Sequence, residues 1–329
     1  MMKFLIILLD ANCPSYCAYE KSEAQKGQMP IEILKKGIHY ALIENLYVQV
    51  IYPDYALSEE YLDVLDSVNK IGMASVRSQN VDFADVLIVE DWDDLKQLEC
   101  NPESTYILRS SKASLFEQYS QLVDFIGKVK RVNLVLTDID TFTDNDFTRY
   151  KDVLREISDS IVARFQRETF LPEVNILTDR ITLNHMNNCN AGIDSITLAP
   201  DGNFYLCPAF FYEEKSVGDI YSGLCIKNSQ LLKIDNAPIC CKCDAYQCKR
   251  CIWLNKKKTL EINTPSHEQC VVSQIERNAS RELLIQLKKC GFQSDSKLKK
   301  INYLDPFERF FADRTSYQRY LRSLVSTKK

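Results

Sequence analysis

Residues 4–20 read FLIILLDANCPSYCAYE. The first six of them are apolar and are followed by a carboxylate and an asparagine, which is typical of a strand buried on both faces. The run is too short for a secretory signal, and Asp10 interrupts it. No other stretch approaches the roughly 20 apolar residues of a membrane span. We therefore expect a cytoplasmic protein without a membrane partner, whose fold begins with a buried strand.

The same alternation of short apolar runs and longer helical patterns continues to about residue 180. Further strands are predicted over residues 47–52, 84–89, 106–108 and 132–136. One helix is expected to begin at Pro30 and to end at Asn45, and another to begin at Thr143, with Asp146 completing its cap. Strands that alternate with helices predict a parallel sheet with helical crossovers, which is an α/β fold, open or barrel-like.

The composition is that of an ordinary globular protein with a substantial core. The chain has 329 residues, of which 45% are hydrophobic and 26% are charged. This length allows two domains of roughly 100–200 residues each. Lysine and arginine number 41 against 45 aspartate and glutamate, so the net charge is −4. This balance gives no electrostatic reason to expect nucleic acid or an anionic membrane as a partner.

Cysteine is the unusual residue, because nine of the 13 cysteines lie between Cys189 and Cys270. Cytoplasmic thiols stay reduced, so such a cluster is expected to bind metal rather than to form disulfides. Four of them follow the spacing Cys-x₂-Cys-x₄-Cys-x₂-Cys, which can wrap thiolates around one metal ion or one cluster. Iron–sulfur clusters and zinc both fit such donors, and a metal that only stabilises the fold is the alternative. The candidate metal ligands are Cys189, Cys207, Cys240, Cys243, Cys248, Cys251 and Cys270.

This pattern, with a glycine five residues before Cys207, resembles the SPASM domain of radical SAM enzymes that modify ribosomally made peptides. The family's motif runs Cys, nine to fifteen residues, Gly-x₄-Cys, then Cys-x₂-Cys-x₅-Cys-x₃-Cys and a final Cys. Two spacings here are one residue shorter, and Cys241 and His267 lie close enough to substitute. The resemblance implies two iron–sulfur clusters of the [4Fe–4S] type: one held by Cys189, Cys207 and Cys251, the other by Cys240, Cys243, Cys248 and Cys270.

The segment after the first strand resembles the radical SAM motif Cys-x₃-Cys-x-aromatic-Cys, which follows the first strand of a partial β/α barrel. Cys13, Cys17 and Tyr19 are in register with it, but Glu20 stands in place of the third cysteine. Three thiolates are needed to leave one iron free for S-adenosylmethionine (SAM), and a hard carboxylate replaces a soft thiolate poorly. The chain therefore resembles a degenerate radical SAM protein, which implies that it has no working SAM cluster.

Over nearly its full length the chain resembles the CXXX repeat peptide maturase family, which is encoded beside small peptides with cysteine at every fourth position. The resemblance rests on six short stretches: residues 34–37 (LKKG), 52–55 (YPDY), 136–138 (LTD), 187–192 (NNCNAG), 243–248 (CDAYQC) and 263–270 (NTPSHEQC). It implies a cysteine-rich precursor peptide as partner, together with a partner maturation enzyme if this chain does not itself perform the chemistry.

These patterns predict three parts: a partial (β/α) barrel of the radical SAM type over 1–180, a SPASM-like cysteine-rich metal domain over 181–275, and C-terminal helices over 276–329. A hairpin is expected around residues 200–202, a helix after Cys270 that ends at Gly291, and a last helix that begins at Asp305. Two functions remain open. Either the metal region performs a step of peptide maturation, or metal only builds the fold and the chain binds the peptide.

Overall fold

The computed structural model describes residues 2–22 and 27–308, and within these ranges the strands form one nine-stranded sheet and one two-stranded ribbon. In the large sheet the order is β7-β6-β5-β4-β3-β2-β1-β8-β9, and every neighbouring pair is parallel except β8 and β9. The strands are β1 (Phe4–Leu8), β2 (Tyr47–Ile51), β3 (Lys70–Ser75), β4 (Val86–Val89), β5 (Thr105–Ser110), β6 (Arg131–Leu136), β7 (Glu173–Val174), β8 (Ser195–Leu198), β9 (Phe204–Tyr205), β10 (Gly218–Asp219) and β11 (Gly223–Leu224).

The first apolar run forms β1, which lies between β2 and β8 and pairs in parallel with both. Its residues from Leu5 to Leu8 are at most 4% exposed, as expected for a strand covered on both faces. Phe4 pairs with Tyr47 on one side and with Ser195 on the other. The predicted α/β fold with a parallel sheet is confirmed.

Strand β3 is one that the apolar pattern does not predict, because its sequence KIGMAS contains few large apolar residues. A side chain at Gly72 would meet the Phe83 carbonyl oxygen at 2.1 Å, so only glycine lets the segment after β3 approach this closely. The Gly72 N–H donates to the Asp85 carboxylate at 2.8 Å. Tertiary contact, rather than local preference, therefore fixes this strand.

The helices are α1 (Ile31–Ile43), α2 (Glu59–Asp66), α3 (Asp94–Gln97), α4 (Lys112–Ile126), α5 (Asp144–Glu168), α6 (Asp179–Thr182), α7 (Pro208–Phe211), α8 (Ile252–Thr259) and α9 (His267–Lys289). Two predicted ends are confirmed. Asn45 adopts a φ of 54° just after α1, and the side chains and backbone of Thr143 and Asp146 form a capping box at the start of α5.

The cysteine-rich part of the chain adds to the same sheet. The predicted hairpin is confirmed as β8 and β9, with Gly202 at a φ of 79° in the turn. Helix α9 begins at His267, before Cys270 rather than after it, because Ser266 caps it by accepting the Gln269 N–H. Helix α9 continues without a break across residue 275, where the second predicted part was expected to end. Gly291, at a φ of 93°, follows its end as predicted, whereas the last predicted helix lies almost wholly outside the described residues.

Side chains from the cysteine-rich part share a core with the first strand. Ile252, Trp253 and Leu254 of α8 belong to the same buried apolar cluster as β1 and α1. A second cluster gathers β5, β6, α4, α5 and α9. In the part of the chain that the structure describes, no helix is long and apolar enough to cross a membrane.

Candidate functional site

The loop that follows β1 lies at the carboxyl edge of the sheet, where parallel α/β folds place their sites. The buried carboxylate of Asp10 shapes its start, accepting the Asn12 N–H at 2.7 Å and the Tyr55 hydroxyl at 2.8 Å. Further along, the Ser15 hydroxyl donates to the Tyr19 carbonyl at 2.9 Å. Buried polar groups therefore hold this loop in one conformation.

The guanidinium of Arg109, in β5, holds the end of the same loop. Its Nε donates to the Cys17 carbonyl at 2.9 Å, and its Nη2 donates to the Tyr19 carbonyl at 3.0 Å. The same group pairs with Glu90 at 2.8 Å and with Glu20 at 3.3 Å. Because the Arg109 side chain is only 9% exposed, most of these charge-assisted bonds lie away from water. Glu20, the residue that replaces a cysteine, thus has an arginine as its partner.

The two cysteines of this loop have different partners. Cys13 is fully buried, its thiol donates to the Ile51 carbonyl at 3.1 Å, and burial raises its pKa. Cys17 is half-buried. Burial raises the pKa of Cys17 well above its ordinary value, and charge on Cys189 and Cys251 raises it further. The loop therefore directs one thiol to the backbone of β2 and brings the other near the cysteine-rich part.

A small pocket beside the start of α9 brings together four predicted ligands, here called the pocket group: Cys240, Cys243, Cys248 and Cys270. Cys240 and Cys270 are each 8% exposed. Burial, followed by charge on neighbouring cysteines, raises the pKa of Cys240 to about 12 and that of Cys270 still further. These are the four cysteines that the sequence resemblance assigns to one cluster.

The remaining three predicted ligands, here called the hairpin group, lie near β8 and β9: Cys189, Cys207 and Cys251. Cys207 directly precedes α7, and the Cys251 thiol caps α8 by accepting the Leu254 N–H at 3.4 Å. Burial raises the pKa of Cys207, and charge on Cys251, Cys189 and Cys17 adds to this effect. These three thiols therefore lie close enough for charge on one to affect the pKa of another.

Backbone N–H groups also point to sulfur in the pocket group. The Ala245 N–H donates to Cys243 and the Arg250 N–H to Cys248, each at 3.5 Å. The Gln274 side-chain amide also donates to Cys243, at 3.1 Å. Hydrogen bonds of this kind stabilise thiolates and tune the metals that they bind.

Arg250 is a buried cation that interacts with both groups. It is 1% exposed, and its guanidinium donates to the Asn263 side chain at 2.8 Å. Burial lowers its pKa, while charge on Cys240, Cys189 and Cys248 opposes that change. A positive charge here offsets thiolate charge on either side.

The loop between Cys243 and Cys248 is held by two arginines. Arg277, which is fully buried, donates to the Asp244 carboxylate at 2.7 Å. Arg180 donates to the Asp244 carbonyl, and its guanidinium lies 4.2 Å from the centre of the Tyr246 ring. These contacts tie the pocket group to α6 and α9.

The two residues named as substitute ligands have other partners. The exposed Cys241 thiol donates to the Pro238 carbonyl at 3.6 Å, and His267 Nδ1 lies 2.6 Å from the Asp305 carboxylate. Among the described residues that line the pocket, neither is present.

The donor chemistry of the two groups fits a soft metal. As the chain stands, no three His, Cys, Asp or Glu side chains within residues 2–22 and 27–308 are placed to hold a single ion. Burial raises the pKa of all seven predicted ligands, so they stay protonated at neutral pH until a metal displaces the proton. Bound iron–sulfur clusters would supply electron storage, and zinc would supply a cross-link.

Glu276 of α9 connects the pocket group to the helices of the sheet. Its buried carboxylate accepts the Tyr150 hydroxyl at 2.8 Å and the Gln247 amide at 3.3 Å. Burial raises its pKa from 4.5 to about 7. Within the described residues, the buried Gln247 side-chain oxygen has no hydrogen-bond donor.

We expect Glu276→Gln to stabilise the protein at pH 8 by about 3 kcal/mol and to change its stability less at pH 5. The folded state favours protonated Glu276, so this contribution is complete below pH 4.5 and is lost as the pH rises through about 7. Thermal unfolding of the wild type and the variant at the two pH values measures the difference. An equal difference at both would contradict the expectation.

Comparison with solved structures finds the same fold in anSMEcpe. The polyhistidine-tagged protein with bound AdoMet gives a TM-score of 0.58 at 11% identity, over 88% of this chain and 99% of that chain. Native anSMEcpe with AdoMet gives 0.57 with the Kp18Cys peptide and 0.54 with the Cp18Cys peptide, each at 10% identity over 87% of this chain and 99% of that chain.

A scan against protein-family models and a search of curated proteins returned no match. The SPASM-like organisation of residues 181–275 and the membership of the CXXX repeat family stay predictions. What the structural similarity establishes is the fold: over most of its length, this chain has the parallel-sheet α/β architecture of anSMEcpe.

Proposed function

We propose that this chain takes part in maturing a small, ribosomally made peptide with CXXX repeats, in the cytoplasm. The peptide binds at the carboxyl edge of the sheet, beside two cysteine groups that hold metal, and the chain has no SAM cluster of its own. The observation that carries the proposal is the loop after β1, where Glu20 stands at the third motif position and the Arg109 guanidinium holds the carbonyls of Cys17 and Tyr19.

The absence of a SAM cluster is supported by the partners of the three motif positions. Cys13 donates to a backbone carbonyl, Cys17 lies near the hairpin group, and Glu20 faces Arg109. A cluster at this loop would need three convergent thiolates, and a carboxylate is a hard donor. We therefore assign electron storage, or structural support, to the cysteine groups alone.

A peptide partner is supported by the fold and by aromatic side chains near the same loop. The fold is shared with anSMEcpe, which has been solved with the Cp18Cys and Kp18Cys peptides. In this chain the half-buried rings of Tyr16 and Tyr212 flank the buried Tyr19 ring, with ring centres 6.2 Å and 5.7 Å from it. Tyrosines present a large apolar face together with a polar hydroxyl, which suits peptide recognition.

The test is the affinity of the full chain for a CXXX repeat peptide, measured by fluorescence anisotropy with and without AdoMet. We expect the same affinity in both conditions, and about tenfold weaker binding of a matched peptide in which serine replaces cysteine. Tighter binding with AdoMet would contradict the proposal, as would equal binding of the two peptides.

Restoring the third motif position sharpens the same test. We expect Glu20→Cys to gain no reductive cleavage of AdoMet, because the Cys13 thiol donates to the Ile51 carbonyl and Cys17 lies near the hairpin group. Release of 5′-deoxyadenosine from the reduced variant, assayed beside the wild type, would show that the loop can still assemble a SAM cluster.

A second form of the proposal follows from the fixed conformation of the loop: the chain presents the peptide, and a partner enzyme performs the chemistry. Cys189→Ser and Cys207→Ser distinguish the two forms. If the hairpin group acts in the reaction, these variants lose product while keeping peptide affinity. If the chain only presents the peptide, product formation by the partner continues.

A further inference from the structure

Two crossovers of the large sheet carry almost no helix. The chain between β3 and β4 (residues 76–85) contains one 3₁₀ turn (Val81–Phe83), and that between β4 and β5 (residues 90–104) contains only the four-residue α3. Other crossovers carry α1, α4 and α5, with 13, 15 and 25 residues. Parallel strands are usually connected by a helix that packs on the sheet. Neither connection to β4 therefore supplies a full helix to cover this strand.

An open groove of about 590 Å³, here called the β4 groove, lies between these two short crossovers. Buried and half-buried apolar side chains line its floor: Val76, Val81, Ala84, Leu87 and Leu98. Leu87, in β4, belongs to the same buried cluster as residues of α4 and α5, which places the groove on the face of the sheet that those helices cover. Ligand pockets in proteins have volumes of roughly 300–1,000 Å³. The groove therefore has room for several side chains of a partner.

The stretch of chain that forms the groove is strongly acidic. From Val76 to Tyr106 it contains eight aspartate and glutamate residues and two basic residues, a net charge of −6, whereas the whole chain carries −4. The rest of the chain therefore has a small net positive charge. Two of the eight carboxylates, those of Asp82 and Glu99, line the groove, are exposed and form no ion pair with any described residue.

Both basic residues of this stretch already have partners. Arg77 pairs with Asp91 at 2.9 Å and with Asp94 at 2.8 Å, and Lys96 pairs with Asp93. A lysine or arginine from a partner would find an apolar floor for its hydrocarbon stem and a free carboxylate for its charged end. The groove is therefore complementary to a basic segment that also carries apolar side chains.

We propose that the β4 groove binds a basic segment of the precursor peptide, with lysine or arginine side chains beside Asp82 and Glu99 and apolar side chains on the floor. One end of the groove, at Arg77 and Asp94, lies at the carboxyl edge of the sheet, where the proposed function places the CXXX repeats. The inference deepens the proposed function and rests on it: the basic segment anchors the peptide, and the repeats extend from it towards the cysteine groups.

The test is fluorescence anisotropy of the full chain with three labelled synthetic peptides: a basic peptide of lysine and leucine, a CXXX repeat peptide, and the two joined in one chain. We expect the basic peptide to bind, and the joined peptide to bind at least about tenfold more tightly than the repeat peptide, because its second segment binds intramolecularly. Affinity for the basic peptide should fall between about 0.1 and 1 M salt, since the Debye length shrinks from about 10 to 3 Å. A peptide with glutamate in place of lysine should not bind.

Charge reversal in the groove, Asp82→Lys together with Glu99→Lys, should weaken binding of the basic peptide about tenfold and remove the gain of the joined peptide. The matched control, Glu117→Lys together with Glu156→Lys, changes the net charge equally on exposed residues of α4 and α5 outside the groove, and should keep both. Because all four side chains are exposed, thermal unfolding of the two variants should resemble that of the wild type.

The possible failures of the two proposals differ. Equal binding of the lysine and glutamate peptides, no binding of the basic peptide, or a joined peptide that keeps its gain in the groove variant would overturn the inference alone. A joined peptide that binds the wild type no more tightly than the repeat peptide would also overturn it. A repeat peptide that does not bind the wild type, although the basic peptide does, would instead contradict the proposed function.

Discussion

Replacement of Cys270 by serine is expected to empty the pocket group of metal and to lower the melting temperature by about 5–10 °C. Structural metal sites contribute about 10–16 kcal/mol of apparent binding free energy, which is comparable to the whole stability of a domain. Losing only about 5 kcal/mol of this shifts the melting temperature by that amount. Cys270 sits in the first turn of α9, so an empty site also frees the start of that helix.

The measurement is thermal unfolding with metal analysis, and Cys225→Ser is the matched control. Cys225 is exposed and is not one of the predicted ligands, so its replacement should leave both quantities unchanged. A Cys270→Ser protein with wild-type metal content and melting temperature would exclude the pocket group as a metal site.

Arg109→Met is expected to destabilise the protein by about 3–5 kcal/mol and to expose Cys17 to alkylation. Methionine keeps the apolar contacts but leaves the carbonyls of Cys17 and Tyr19 without this donor and leaves Glu90 without its cation. Removing one partner of a largely buried charge pair costs this much, because the remaining polar groups stay desolvated.

Arg77→Met is a matched control at the same edge of the sheet. Arg77 also pairs with two carboxylates, those of Asp91 and Asp94, but its side chain is 60% exposed. Exposed ion pairs contribute about 0–1 kcal/mol, so this variant should be nearly neutral. Denaturant unfolding of both variants checks the contrast, and equal losses would mean that burial does not set the strength of the Arg109 contacts.

The parallel sheet could be predicted because its strands carry the signature of burial on both faces. The residues of β1 are consecutively apolar, and Asn45 and Thr143 mark helix boundaries by backbone chemistry that acts locally. Strand β3 lacks this signature, since Lys70, Gly72 and Ser75 dilute it. Its place between β2 and β4 comes from long-range pairing that no local pattern expresses.

The candidate site, too, could be predicted from the sequence only in part. Spacing brings Cys240, Cys243 and Cys248 together, because short loops leave few alternatives. In the sequence, most strands of the sheet lie between Cys17 and Cys189. Only the pairing of β1 with β8 brings the two residues close together in the fold. The pairing of His267 with Asp305 likewise could not be predicted from local spacing, since Asp305 lies 38 residues further along the chain.

The position of β8 beside β1 also has a consequence for biosynthesis. The ribosome must add about 190 residues after Phe4 before its partner Ser195 exists. At about 5–20 residues per second, one side of an entirely apolar strand waits roughly 10–40 s for its neighbour. Such an edge readily pairs with other chains. The nascent protein is therefore most exposed to aggregation, and most dependent on chaperones, until its cysteine-rich half has been translated.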